Sequence, residues 1–151
     1  MLAVDDAAPD FDLDGTDGTT SGAYRLSAAA ERAPVLVAFY RDDFDSDCRR
    51  YLEALRDTDW GSLTDTIAVF GVAPGTLEDH RQLARELDLP FPLLVDHSGV
   101  DGQFGVQRPD GSTRRAAFLV DRRCRVRFAW AEGEADESPP IDRIHSAITR
   151  L

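Results

Sequence analysis

Cys48 is the side chain whose surroundings most invite chemistry. It follows a nearly continuous apolar run, Pro34-Val35-Leu36-Val37-Ala38-Phe39-Tyr40, and a polar loop from Arg41 to Asp47. It opens a stretch in which Tyr51, Leu52, Leu55 and Trp60 fall at three- and four-residue spacing, the period of a helix. Asp45, Ser46 and Asp47 are all good N-cap residues, so the thiol is expected in a helix's first turn. There the helix dipole favours the thiolate, the form of cysteine that attacks an electrophile. The plainer alternative is a small buried apolar residue, as many free cysteines are. Its position after a central strand, with polar flanks, favours the reactive reading.

The elements that must hold this thiol follow from hydrophobic patterning. Ala8 to Leu13 alternates briefly and is followed by Asp14-Gly15 and Asp17-Gly18, both turn dipeptides, which predicts an entry hairpin. Pro34–Tyr40 and Thr66–Val72 read as strands covered on both faces, the first leading into the Cys48 helix. Thr76-Leu77-Glu78-Asp79 starts a second helix with a capping pattern, its inner face supplied by Leu83, Ala84 and Leu87. His80 reads as an exposed residue of that helix. Pro90–Asp96 predicts a short strand, Val100–Val106 a short helix or turn, and Ala116–Asp121 another strand. Arg125–Trp130 then completes a hairpin, and Ile141, Ile144, Ile148 and Leu151 mark a last helix.

The 151 residues fit one domain, 1–151, able to bury about 68–70% of its unfolded surface. Asp and Glu number 28 against 17 basic residues, a net charge of −11, and every basic residue is Arg. A carboxylate-rich surface without Lys suits a cytoplasm near molar salt, where the Debye length is about 3 Å and self-repulsion is screened. The chain is therefore expected to be a halophile's. Nucleic acid is a poor partner, because its binding needs a basic stripe. The one dense basic run, Arg122 to Arg127, reads as a solvated hairpin face rather than an anion site. No segment has the eighteen or so apolar residues of a membrane span, and Met1-Leu2-Ala3-Val4-Asp5-Asp6 has no basic leader, so a cytoplasmic protein is expected. Two cysteines and three scattered histidines suggest no disulfide scaffold, no metal and no cofactor.

The ordered set of segments resembles a known family. Ala8-Pro9-Asp10-Phe11, the strand ending Phe39-Tyr40, Asp43-Phe44 before the cysteine, Phe70-Gly71-Val72 leading to a helix with His80, Leu89-Pro90-Phe91-Pro92-Leu93-Leu94-Val95-Asp96 and Arg115-Ala116-Ala117-Phe118-Leu119-Val120-Asp121 are together similar to a peroxiredoxin of the bacterioferritin-comigratory type. A βαβ half followed by a hairpin and a final helix is also the thioredoxin-like order, an α/β fold with a central mixed sheet flanked by helices. The resemblance implies a thiol peroxidase. Its thiolate attacks hydrogen peroxide or an alkyl hydroperoxide, leaving a sulfenic acid that a second thiol reduces. Cys48 falls at the peroxidatic position and Arg115 at the active-site arginine. Tyr40, Arg41 and Phe44 are candidates for the substrate pocket, although Tyr40, Phe44 and Trp130 also read as packing residues.

Two departures bear on the chemistry. Where the family carries Pro-x-x-x-Thr-x-x-Cys, this chain has Arg41 and Asp45 in the Pro and Thr places. An ionised Asp45 can only accept hydrogen bonds, and its charge raises a neighbouring thiol's pKa, as do Asp42, Asp43 and Asp47. Arg41 can offset this by pairing with Asp45 or by supplying donors itself. The position of a same-helix resolving cysteine is Glu53. Cys124, at the far end of a strand, is expected roughly 20 Å from Cys48 at ~3.3 Å per residue, beyond disulfide reach. That points to a one-cysteine cycle with an external thiol or thioredoxin-like reductant as partner, and to an inert Cys124. A homodimer is left open. A catalytically weakened redoxin domain used for binding or redox sensing is the alternative. Thioredoxin-type disulfide exchange is disfavoured by the lack of Cys-x-x-Cys.

Overall fold

The computed structural model describes residues 1–58, 67–133 and 138–151. Seven strands form one mixed sheet: β1 (Asp12–Thr16), β2 (Ser21–Arg25), β3 (Val35–Phe39), β4 (Ala68–Ala73), β5 (Leu93–Val95), β6 (Ala116–Val120) and β7 (Val126–Ala131), in the order β2-β1-β5-β4-β3-β6-β7. β3, β4 and β5 are parallel, while β6 runs antiparallel to β3 and β7 antiparallel to β6. The helices are α1 (Leu26–Ala30), α2 (Ser46–Arg56), α3 (Leu77–Glu86), α4 (Val100–Gln103) and α5 (Ile141–Thr149).

β3 and β6 are buried at every residue because helices cover both faces of the sheet. Alternate side chains of β3 enter two cores. Leu36, Ala38 and Tyr40 pack with α2, α3 and α5, whereas Val35, Val37 and Phe39 pack with α1, α4 and the Phe104–Phe118 pair. Cys48 joins the first core and Cys124 the edge of the second, so the two sulfurs lie on opposite sides of the sheet.

Two expectations are corrected here. Asp14-Gly15 is no turn; it lies inside β1, and the hairpin turns at Asp17–Thr20, where the Asp17 carboxylate accepts from the Thr19 and Thr20 N–H groups. Gly15 is required by close approach instead, since a Cβ there would run into Leu94 and stand 3.0 Å from the Leu93 carbonyl. His80 is fully buried, not exposed. It lies three and four residues before Leu83 and Ala84 and so shares their inward face. Trp60 and Thr66, assigned above to the Cys48 helix and the following strand, fall outside the described residues.

Gly15→Ala is expected to destabilise the protein by about 1–3 kcal/mol through overpacking against β5, read as a lower urea midpoint. An unchanged midpoint would show that β1 can shift to accept the methyl group.

Candidate active site

The site grows from the carboxyl end of β3, where the chain turns through residues 40–45 and enters α2. Asp45 is the N-cap, its Oδ1 accepting from the Asp47 and Cys48 N–H groups at 2.8 and 3.1 Å. This cap places Cys48 in the first turn of α2 with no exposed surface. The Arg41 N–H donates to Cys48 Sγ at 3.3 Å. Burial pushes the Cys48 thiol up. The backbone N–H groups of Arg41 and Asp42 work against that, the Asp45 charge adds to it, and the Arg41 charge opposes it.

The replacements in the Pro and Thr places form one ion pair. Arg41 donates from Nη2 and Nε to Asp45 Oδ2 at 2.8 and 3.3 Å. Burial would raise the Asp45 carboxyl, but the Arg41 guanidinium and the two helix N–H groups hold it below its ordinary value. Asp45 is therefore an anion and an acceptor only, the role expected of an ionised side chain there.

Arg41 also donates from Nη1 to Glu132 Oε1 at 3.2 Å, and Glu132 gathers two further arginines. Arg108 Nη2 donates to its Oε1 at 3.0 Å, Arg115 Nε to its Oε2 at 2.7 Å, and the Arg115 backbone N–H to its Oε1 at 3.1 Å. Burial works to raise the Glu132 carboxyl, and these donors overcome it and keep Glu132 anionic. The structure thus brings Cys48, Asp45, Arg41 and Arg115 into one charged assembly, with Arg115 buried and its neighbour Arg114 partly exposed.

Glu132 was missed from the sequence. Its signal is hairpin register: Ala116 stands opposite Ala131, so the next pair outward is Arg115 and Glu132. A second assembly was missed as well. Tyr40 donates its hydroxyl to Asp43 Oδ1 at 2.8 Å, and His80 Nδ1 lies 2.7 Å from Asp43 Oδ2.

Of the pocket candidates, Tyr40 is fully buried with its hydroxyl committed to Asp43, which suits packing and not substrate contact. Arg41 and the exposed Phe44 line a shallow recess of about 220 Å³ with Asp42, Gly75 and Asp79. A second cleft, of about 330 Å³, is lined by Asp47, Arg50 and Tyr51 of α2, Arg115 and the start of α5. Trp130 packs edge-on against Tyr51 in the core. The basic run at Arg122–Arg127 is engaged locally, with Arg127 bridging Asp5 and Asp121. Among the described residues, no three His, Cys, Asp or Glu side chains converge as a metal would require, and no helix is long and apolar enough to cross a membrane.

Glu132→Ala leaves buried Arg115 without this carboxylate and is expected to lower stability by about 3–5 kcal/mol at neutral pH. The Glu132 carboxyl is depressed in the folded state, so its contribution is complete above its unfolded pKa and disappears as pH falls through the folded one. Urea unfolding from neutral to acid pH should therefore show the gap between variant and wild type closing below the ordinary carboxylate range. A gap that persists there would assign the loss to packing.

The fold is one shared with known proteins. The AhpC/TSA family model matches residues 4–129. Peroxiredoxin Bcp of Bacillus subtilis (strain 168) is 27% identical over 139 residues, 85% of each chain. The crystal structure of peroxidoxin BcpB from Mycobacterium tuberculosis superposes with a TM-score of 0.85 at 22% identity, covering 100% of this chain and 99% of that one. The reduced 2-Cys peroxiredoxin of Plasmodium vivax gives a TM-score of 0.85 at 21% identity, covering 98% of this chain and 81% of the other. The chain belongs to the AhpC/TSA family and is a thiol peroxidase with a peroxiredoxin-type thioredoxin-like fold.

Proposed function

We propose that Cys48 is the peroxidatic residue of a one-cysteine cycle that reduces hydrogen peroxide or an alkyl hydroperoxide at the expense of an external thiol. The observation that carries this reading is the placement of Cys48 in the first turn of α2 with a backbone donor on its sulfur. The Cys48 thiolate attacks one peroxide oxygen, an S–O bond forms as the O–O bond breaks, and the departing oxygen leaves as water or an alcohol after taking up a proton. One external thiol then condenses with the sulfenic acid, releasing water. A second displaces the mixed disulfide, restoring Cys48 and yielding the oxidised reductant. The packing of Cys48 and Cys124 in different cores, on opposite sides of the sheet, supports an external second thiol.

Arg115 and Arg41 supply the positive charge beside the sulfur, favouring the thiolate and the oxygen that leaves. Asp45 contributes by capping α2 and fixing Arg41, not by donating to peroxide. The raised Cys48 thiol and the adjacent carboxylate support a second reading, a slow redoxin domain used for binding or sensing. The single domain is proposed to work in a salt-rich cytoplasm, on the grounds of its net charge of −11 and all-arginine basic set.

Stopped-flow mixing of reduced protein with hydrogen peroxide in ~1 M KCl, with sulfenic acid followed by mass, separates the two readings. Rapid stoichiometric oxidation, absent in Cys48→Ser and slowed about 10²-fold in Arg115→Ala, is expected. Its rate should climb about tenfold per pH unit through neutrality, because the burial-raised thiol is mostly protonated there and only the thiolate reacts. Oxidation no faster than that of a free thiol would favour the sensing domain.

The salt adaptation has its own test. Raising KCl from ~0.1 M to ~1 M shortens the Debye length from about 10 Å to about 3 Å, and the urea midpoint should rise. A falling midpoint would rule the adaptation out.

A further inference from the structure

The family chemistry leaves His80 without a task, yet it occupies a demanding place. Its ring is fully buried and Asp43 nearly so. Nε2 lies 3.2 Å from the Ala73 carbonyl and 3.1 Å from that of Leu94, at the carboxyl ends of β4 and β5. Carbonyls only accept, so Nε2 carries a proton. On the other side of the ring, one proton lies in the 2.7 Å contact between Nδ1 and Asp43 Oδ2. Asp43 Oδ1 receives the Tyr40 hydroxyl. Gly75, at φ +128, passes close over this pair, where a Cβ would stand 3.3 Å from Asp43 Oδ2 and 3.4 Å from His80 Cε1. A polar cluster this deep is costly unless every member is satisfied, and Tyr40, Asp43 and His80 satisfy one another.

The cluster sits directly behind the segment that touches the sulfur. Tyr40 is anchored to β4 by its N–H to the Val72 carbonyl, and the next residue is Arg41, whose N–H donates to Cys48 Sγ. Asp43 lies two residues further on. Its backbone carbonyl receives Arg49 Nε from α2, while its carboxylate is held by His80 from α3. The turn is thus fastened at both ends of one residue, by the helix bearing the thiol and by α3.

We propose that His80 is a positioning residue for Cys48: by clamping the Asp43 carboxylate it fixes the turn at residues 40–44 whose Arg41 N–H donates to the sulfur. The proposal rests on Cys48 being the reacting thiol, but its test does not require peroxide turnover.

Two substitutions divide the ring's functions. His80→Asn places an amide near Nδ1, keeping a donor for Asp43 and giving up the two strand carbonyls. His80→Gln reaches toward Nε2, keeping the strand tie and giving up Asp43. In a Cys124→Ser background, the pH profile of Cys48 alkylation by iodoacetamide reports the thiolate directly. His80→Gln is expected to slow alkylation at neutral pH about tenfold and move the midpoint upward, as the loosened Arg41 N–H ceases to favour the charged sulfur. His80→Asn should stay within about twofold of the parent, even where urea shows it to be less stable.

Equal slowing in both variants, or none in His80→Gln, would overturn the proposal, leaving His80 as a tie between strands. Should His80→Gln fail to fold, Tyr40→Phe removes only the hydroxyl donated to Asp43. It should slow alkylation in the same direction by about threefold, and an unchanged profile would likewise refute the clamp. A shifted profile accompanied by no reaction with peroxide would retain the clamp and reject the peroxidase cycle.

Discussion

A thiol without solvent exposure has to draw its ionisation from the protein, and that constraint orders the carboxyl edge of this sheet. Water would stabilise the thiolate of an exposed cysteine. Cys48 has instead the Arg41 N–H at 3.3 Å, the start of α2 and the charges of the surrounding arginines. Each of these works only at close range and fixed orientation. The residues holding the donors in place therefore matter as much as the donors. Asp45 caps the helix, Glu132 collects Arg41, Arg108 and Arg115, and Asp43 anchors the turn to α3.

The all-arginine composition fits this arrangement as well as it fits salt. A guanidinium presents several donors in a plane and can serve two carboxylates at once, as Arg41 does with Asp45 and Glu132. A lysine ammonium at position 41 would offer a compact charge with no fork. The Arg115–Glu132 pair is shielded from solvent on both sides, so it should persist at salt concentrations that screen exposed pairs such as Arg25–Asp12. Acidity on the surface and arginine at the site are thus both compatible with the salt-rich cytoplasm proposed above.

The parts of this fold legible in the sequence were those set by hydrophobic period. β3 and β6 announced themselves as apolar runs because both faces are covered, and Asp45 and Thr76 as helix starts because their side chains cap. His80 was misread because its polar type outweighed its spacing, although positions 80, 83 and 84 lie on one face. Gly15 was misread because Asp-Gly marks a turn equally well at 14–15 and 17–18, and only pairing with β5 decides between them. Glu132 was invisible because its partners come from three separate segments and meet only after the β6–β7 register is set. For Gly15 and Glu132 the missing information was long-range, whereas for His80 it lay in the helix's own period.

Arg41 and Asp45 look like two independent losses from the family's motif, but they are a single replacement. A carboxylate alone at position 45 would cap α2 and repel the thiolate. A guanidinium alone at position 41 would stand over Glu132 with part of its fork unpaired. Together, four residues apart, they cancel most of each other's charge, keep the cap and leave the Arg41 backbone donor on the sulfur. What the pair does not reproduce is a hydroxyl able to accept and donate at once. Any donation to a bound peroxide therefore falls to guanidinium and backbone N–H groups, which cannot give up a proton at neutral pH. In the proposed cycle the site orients a peroxide and stabilises its departing oxygen, while the proton that completes the leaving group has to come from water or from the peroxide itself.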